Sequence, residues 1–309
     1  MQVIITGGTG FIGGHLARSL SADGHEVIVL TRNPDKHVDD LPQSIRLAKW
    51  DARTGSDWDQ LITADTVIVN LAGEPIEGVG FIPARWTSER RRRILESRVN
   101  AGKAVVSAVE NAPAKPQALL QASAVGYYGF HEDEIITEDS PPGSDFLADV
   151  CVQWEQSSSL VESMGVRRAV LRTGLPLDPK DGVMPRLVLP FRLFAGGPLG
   201  SGNQWYSWIH IADEVGAIRY LMNGAALSGP FNLTSPNPAK NKDLAKTLGR
   251  VLQRPSFLPV PGFALRLVFG DVIDLALKGQ RVIPERLLKV GYTFKFPELE
   301  AALHDLLEN

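Results

Sequence analysis

Apolar positions in the first half of the chain follow two alternating rhythms. Short β-branched or continuous apolar runs recur as VIIT (3–6), EVIVL (26–30), TVIVNL (66–71), ALLQAS (118–123) and RAVLR (168–172). Runs of this length without polar alternation predict strands covered on both faces, as in a parallel sheet. Between them the apolar residues recur at helical spacing. Ile12, Leu16 and Leu20 form one stripe and predict a helix from about Phe11 to Ala22, with Gly24 just past its end. Ile94, Ala101, Val105 and Val109 predict a long helix from about Ser88 to Glu110. A third helix is expected to start at Asp145 as N-cap, to carry Leu147, Cys151, Trp154 and Val161 on one face, and to close at Gly165. Repeated strand–helix units predict an α/β fold with a doubly wound parallel sheet.

After about Gly174 the pattern changes. Proline and glycine become frequent in GLPLDPKDG, AGGPLGSGNQ, NLTSPNP and QRPSFLPVPGF, with short helical segments between them. This texture predicts a smaller C-terminal domain over residues 174–309. It would cap a dinucleotide-sized domain over 1–173, to which a return segment near 205–233 also contributes. A length of 309 residues accommodates both.

Composition narrows the partners. A net charge of −3 gives no global attraction to nucleic acid or to an anionic membrane. Arg85, Arg90, Arg91, Arg92, Arg93 and Arg98 cluster in ARWTSERRRRILESR, but four consecutive arginines point all around a helix and cannot form one patch. The single cysteine, Cys151, excludes an internal disulfide and suits a reducing compartment. The first strand-like run begins at Gln2, and no apolar run is long enough to span a bilayer, so the expectation is a cytoplasmic protein without signal peptide or membrane segment. The six histidines show no metal spacing with carboxylates or Cys151, and no metal site is expected.

The chemistry begins with TGGTGFIGGHL (6–16), which follows the first strand and opens the first helix. Gly8, Gly10 and Gly13 satisfy G-x-G-x-x-G, and Gly7, Gly10 and Gly13 satisfy the wider G-x-x-G-x-x-G. Glycines there let backbone approach a pyrophosphate, whose charge the helix N-terminus stabilises. The expected cofactor contacts are Gly7, Thr9, Gly10, Phe11, Ile12 and Gly13. The second strand ends in VLTRN, so Thr31 and Arg32 stand where a carboxylate would meet a free ribose 2′-hydroxyl. A hydroxyl and a fixed cation suit a 2′-phosphate, which favours NADP(H) over NAD(H). Asp51 in KWD could accept from an adenine amino group, or be a plain loop aspartate. Leu71, Ala72 and Gly73 in NLAG could offer backbone beside the glycine loop, or form a tight turn.

In this order, TGGTGFIGGHL, NLAG, SAVGYYG (123–129) and WIHIADE (208–214) resemble the extended short-chain dehydrogenase/reductases. The likeness is greatest to an atypical branch called epimerase family proteins, some members of which carry a cell-division-inhibitor label. DFLADVCVQWE (145–155), PFRLFAGGPLGSGNQWYSWIH (190–210) and GQRVIPERLL (279–288) extend it over nearly the whole chain. The resemblance implies a Rossmann domain binding NADP(H), a C-terminal substrate domain, an Arg98 that faces the cofactor, and the 190–210 segment over the cofactor. It implies an unknown small-molecule substrate, and the oligomeric expectation is a monomer or homodimer.

One departure stands out. The wider family's acid–base pair is Tyr-x-x-x-Lys on the helix after the serine strand, where this chain carries Leu147 and Cys151. Its five tyrosines, Tyr127, Tyr128, Tyr206, Tyr220 and Tyr292, are followed four residues on by His131, Glu132, His210, Gly224 and Phe296, so the motif occurs nowhere. A phenol of ordinary pKa near 10 is a poor base at neutral pH without an adjacent cation. Ser123, with Tyr127 or Tyr128, is therefore the expected substitute catalytic set; otherwise the serine pairs with backbone and the rings pack between domains. Arg192, Trp205, Trp208 and His210 are the expected substrate contacts, with His210 either a proton donor or a histidine fixed on its strand by Asp213. The function expected is an NADP(H)-dependent oxidoreductase or epimerase. The alternative is an NADP(H)-binding regulatory protein of little turnover, linked to cell division.

Overall fold

The structure is a computed structural model and describes residues 1–78 and 80–308. Seven strands form one sheet: β1 (Gln2–Thr6), β2 (Glu26–Thr31), β3 (Arg46–Lys49), β4 (Thr66–Asn70), β5 (Ala118–Ala124), β6 (Arg167–Thr173) and β7 (Gly229–Leu233). Their spatial order is β7-β6-β5-β4-β1-β2-β3, and every neighbouring pair is parallel. The order reverses between β1 and β4. A crevice therefore opens beyond the carboxyl ends of these two strands, where doubly wound sheets bind ligands.

The apolar runs are continuous because both faces of the sheet are covered. Val3 and Ile5 face a core shared with Leu16 and Leu20 of α1 (Phe11–Ala22). Ile4 points the other way, into a core with Ala101, Val105 and Val109 of α2 (Ser88–Asn111). Thr87 caps α2 by accepting from the Arg90 amide. Asp145 caps α3 (Phe146–Gln156) through the Leu147 and Ala148 amides, as its sequence predicts. The third helix is shorter than its periodicity implies. Ser157 Oγ donates to the Trp154 carbonyl, a local bond that competes with helix propagation, and a separate 3₁₀ turn over Ser159–Met164 carries Val161 into the core.

Beyond β6 come α4 (Met184–Arg192), α5 (Ile211–Asn223), α6 (Asn241–Val251) and α7 (Gly262–Phe269). Of residues 205–233, only 211–233 lie on the sheet: α5 packs beside α1, and β7 adds the last strand beside β6, whereas 205–210 pair with Ala239–Lys240 and Leu175–Leu177. β7 has no strong signature of its own, being the short GPFNL. It is a strand because β6 offers an unpaired edge there. Segments from 174–204 and 234–282 lie over the carboxyl ends of β5 and β6. Among the described residues no helix is long and apolar enough to cross a membrane.

Candidate cofactor cleft and adjoining cavity

The glycine loop is built for close approach. Gly7 has a left-handed φ of 69°, and a Cβ on it would lie 2.9 Å from the Leu71 carbonyl, so the loop touches the NLAG turn directly. A Cβ on Gly13 would lie 2.3 Å from the Gly7 oxygen, so only glycine lets α1 start against the loop. Gly10 is the N-cap of α1, with no side-chain cap and no acid in the first turn. The first helix amides, those of Phe11 and Ile12 among them, thus face the crevice free of side-chain competitors. Leu71 and Ala72 are pinned beside the loop, their amides donating to the Thr6 carbonyl and hydroxyl. Thr6 in turn donates to Asn70, and Asn70 to Gln121, a buried chain of side chains that ties β1, β4 and β5 together at their carboxyl ends.

At the far end of the crevice Thr31 is nearly buried and Arg32 is exposed, making no hydrogen bond or ion pair among the described residues. Arg32 shares an open recess with Arg46, Lys49, Trp50, Asp51 and Asp57. Asp51 keeps one carboxylate oxygen in a turn, accepting from the Arg53 and Thr54 amides at 2.7 and 2.8 Å. Those bonds, the Thr54 amide foremost, hold its pKa below the usual carboxylate value.

Ser123, Tyr127 and Tyr128 come together in one network around Arg172 and Glu155. Ser123 Oγ donates to Glu155 at 2.7 Å, and Glu155 also accepts from Arg172 Nε and Nη2 at 2.9 and 3.0 Å. Arg172 Nη1 donates to the Tyr128 hydroxyl, which donates to Asn232 at 2.6 Å. The Arg172 guanidinium lies 3.5 Å from the centre of the Tyr127 ring. Tyr128 is fully buried, and desolvation pushes its phenol up to about 12 despite the cation beside it. The network was missed from sequence, although Arg172 inside an apolar strand needed a buried acid to pair with.

A cavity of about 630 Å³ opens beyond the ends of β5 and β6. Ala124, Val125 and Gly126 line one side, Thr173, Gly174 and Leu175 another, and α3, α4, α6, α7 and the segment 272–280 contribute to the rest. Leu147 and Cys151 both line it, so the positions expected for the tyrosine and lysine present an alkyl group and a thiol. Burial pushes that thiol up to about 12, with the Glu155 charge adding to the effect, and leaves it un-ionised. Arg98 also lines the cavity. Its guanidinium packs against Gly73, lies 4.8 Å above the Trp154 ring, and donates to the Glu74 and Ile94 carbonyls at 2.9 and 3.0 Å. Burial lowers its pKa to about 10.

Of the expected substrate residues, Trp205 alone lines this cavity. Arg192 is exposed at the end of α4. Trp208 is fully buried, its indole donating to the Asn237 carbonyl. His210 is held by its position as N-cap of α5, accepting from the Ala212 amide, and it stacks on Phe296. Asp213 does not fix it; that carboxylate accepts from the Lys295 and Phe296 amides instead. Behind the cavity wall, Thr173 Oγ donates to Glu214, a fully buried carboxyl pushed up to about 8 by desolvation. No metal site was expected, yet His15, Asp178 and Asp181 bring ligand atoms within 4.8 Å of one another. His15 and Asp178 are 3.3 Å apart, and the other Asp178 oxygen closes a turn by accepting from the Lys180 and Asp181 amides.

Residues 3–234 match the profile of the NAD dependent epimerase/dehydratase family. The chain belongs to this family. Residues 260–306, which include α7, match a domain of unknown function, DUF1731. The chain is 39% identical to the chloroplastic epimerase family protein SDR39U1 homolog of Arabidopsis thaliana, covering all of this chain and 87% of that protein. It is also 39% identical to epimerase family protein YfhF of Bacillus subtilis, over 99% of this chain and 98% of YfhF. Among solved structures, human epimerase family protein SDR39U1 with NADPH superimposes with a TM-score of 0.88 at 35% identity, each chain covered in full. A nucleoside-diphosphate sugar epimerase from Corynebacterium glutamicum gives 0.78 at 32%, over 99% of this chain and 58% of that one. UDP-glucose epimerases at 17 to 19% identity share the fold.

Proposed function

We propose that this chain is an NADP(H)-dependent oxidoreductase or epimerase of the family that works without a Tyr-x-x-x-Lys pair. The observation that carries the reading is the junction of cleft and cavity. A dinucleotide whose pyrophosphate lies on the amides at Gly10–Gly13 would extend its nicotinamide toward Ala124–Gly126 and Thr173–Leu175, where the cavity begins. Gly7, Thr9 and Leu71–Gly73 would line its path. Arg32, with Thr31 beside it, would meet the 2′-phosphate, and Asp51 would reach the adenine with its remaining oxygen. The NADPH of the human relative supports the cofactor choice. When bound, NADPH supplies a hydride.

Ser123 and Tyr128 serve on this reading as positioning residues. Their hydroxyls are committed to Glu155, Arg172 and Asn232, and hold the ends of β5, β6 and β7 in register. Tyr127, stacked on Arg172, shares that role. The second reading, a cofactor-binding regulator with little turnover, is favoured by Leu147 and Cys151, which put an alkyl group and a thiol of raised pKa, a poor acid, where the family's tyrosine and lysine would stand.

The test uses NADPH deuterated separately on each face of C4, a panel of carbonyl compounds, and detection of deuterium in the product by mass spectrometry. Stereospecific transfer from one face is expected. Tight NADPH binding without transfer to any panel member would assign the second reading.

A further inference from the structure

We infer that the cavity takes an amphiphile, an alkyl or aryl body with one oxyanion or carbonyl end directed at Arg98, and that it does not take a sugar nucleotide. The inference rests on the reading that a dinucleotide occupies the adjoining cleft.

The lining is dominated by Leu187, Phe191, Leu244, Leu265, Phe269 and Ile273. The polar groups among the lining are spent on the protein itself. Tyr206 donates to the Ala276 carbonyl, Ser207 to that of Gln280, and the Gln280 amide to that of Val125. Asn241 accepts from the Leu199 amide, and Arg186 is held by Glu77 and the carbonyls of Gly80 and Phe81. A hexose placed there would bury hydroxyls without partners, each costing about 5- to 150-fold in affinity. Apolar surface gains about fourfold for every methylene it buries.

The buried Trp154 indole N–H, without a hydrogen-bond partner among the described residues, is one exception, and Arg98 is the other. It is only 6% exposed, yet its Nε is buried without a hydrogen-bond partner. The nearest acid, Glu74, is already shared with Arg90 at 3.9 Å and Arg93 at 3.2 Å. Glu74 is thus set against three guanidinium groups, while the Glu155 carboxylate that also acts on Cys151 is bonded to Arg172. A ligand oxyanion brought against this guanidinium from the cavity would give it the anionic hydrogen-bond partner that no described side chain supplies. The cavity's mouth is apolar as well. Phe81 and Ile82 line it while remaining 53% and 73% exposed, and α7 buries none of its residues although Leu265 and Phe269 line the cavity. A molecule entering there passes over alkyl and aryl surface from solvent to Arg98.

The experiment is calorimetric titration of the full chain, unliganded and saturated with NADPH. Its probes are n-alkanoates of six to ten carbons, the matching n-alkanols, and UDP-glucose. Affinity for alkanoates should rise about fourfold per methylene, decanoate should outbind decanol at least tenfold, and UDP-glucose should give no saturable heat. Arg98→Met should remove the preference for decanoate over decanol, while Arg98→Lys should keep part of it. Leu187→Trp should abolish alkanoate binding and leave NADPH affinity within twofold. Affinity independent of chain length, saturable UDP-glucose binding, or a carboxylate preference that survives in Arg98→Met would overturn the inference. NADPH titrated in the same samples reports separately on the cofactor reading: failure to bind it sinks that reading, while the ladder on unliganded protein still judges the cavity.

Discussion

Replacing Arg32 by alanine separates the 2′-phosphate from every other part of the cofactor. Arg32 follows β2, exposed and unpaired among the described residues, in a recess that also holds Arg46 and Lys49. A hydrogen bond to a charged group contributes about 1.5–3 kcal/mol. Exposure argues for the lower end of that range, because water and salt screen the interaction, and Arg46 and Lys49 can take over part of the charge. The expected loss is therefore about 1.5 kcal/mol, a roughly tenfold weaker NADPH complex. NADH, without the phosphate, should change by less than about twofold. The assay is NADPH and NADH fluorescence titration of wild type and Arg32→Ala at low and high salt. The wild-type preference for NADPH should shrink as salt rises, and the variant should be less salt-sensitive than wild type. Equal weakening of NADPH and NADH would refute the reasoning, since Arg32 would then act on a part the two share. A wild-type protein that prefers NADH would refute it outright.

Two predictions concern buried groups outside the glycine-loop cleft. Arg172→Met leaves Glu155 charged and largely buried and strips a partner from Tyr128, so urea denaturation should show a loss of about 3–5 kcal/mol. Adding Glu155→Leu should recover much of that loss; no recovery would show that the pair is not the unit of stability. Glu214 gives a pH test. Its pKa is raised from 4.5 to about 8, so the folded state holds a proton that the unfolded state releases. Stability should therefore fall as pH rises from about 4.5 to 8 and level off above. Glu214→Gln should match wild type near pH 4 and melt higher above pH 8. Parallel melting curves would refute the assignment.

Much of the cofactor cleft was legible along the chain because its parts are local. A glycine loop is a property of eleven consecutive residues between a strand and a helix, and strands buried on both faces announce themselves as unbroken apolar runs. The place of Arg32, one residue past its strand, was legible for the same reason. The substrate side was not. Trp205 reaches the cavity and Trp208, three residues on, is sealed in the core, because the two stand on separate short strands, one paired with Lys240 and the other with Leu175. His210, which reads as a candidate acid, is spent on capping a helix.

The sequence by itself determined the doubly wound sheet, the glycine loop that opens the first helix, the cation at the end of the second strand, and the absence of a Tyr-x-x-x-Lys pair. Only the tertiary structure decided what the hydroxyls of Ser123 and Tyr128 do, since Glu155 and Asn232 lie 32 and 104 residues away from them. It also decided that Arg98 from α2 is the cation beside Cys151. Local patterns are set by backbone geometry within a few residues, whereas a polar group's role depends on which distant partners satisfy it once water is gone.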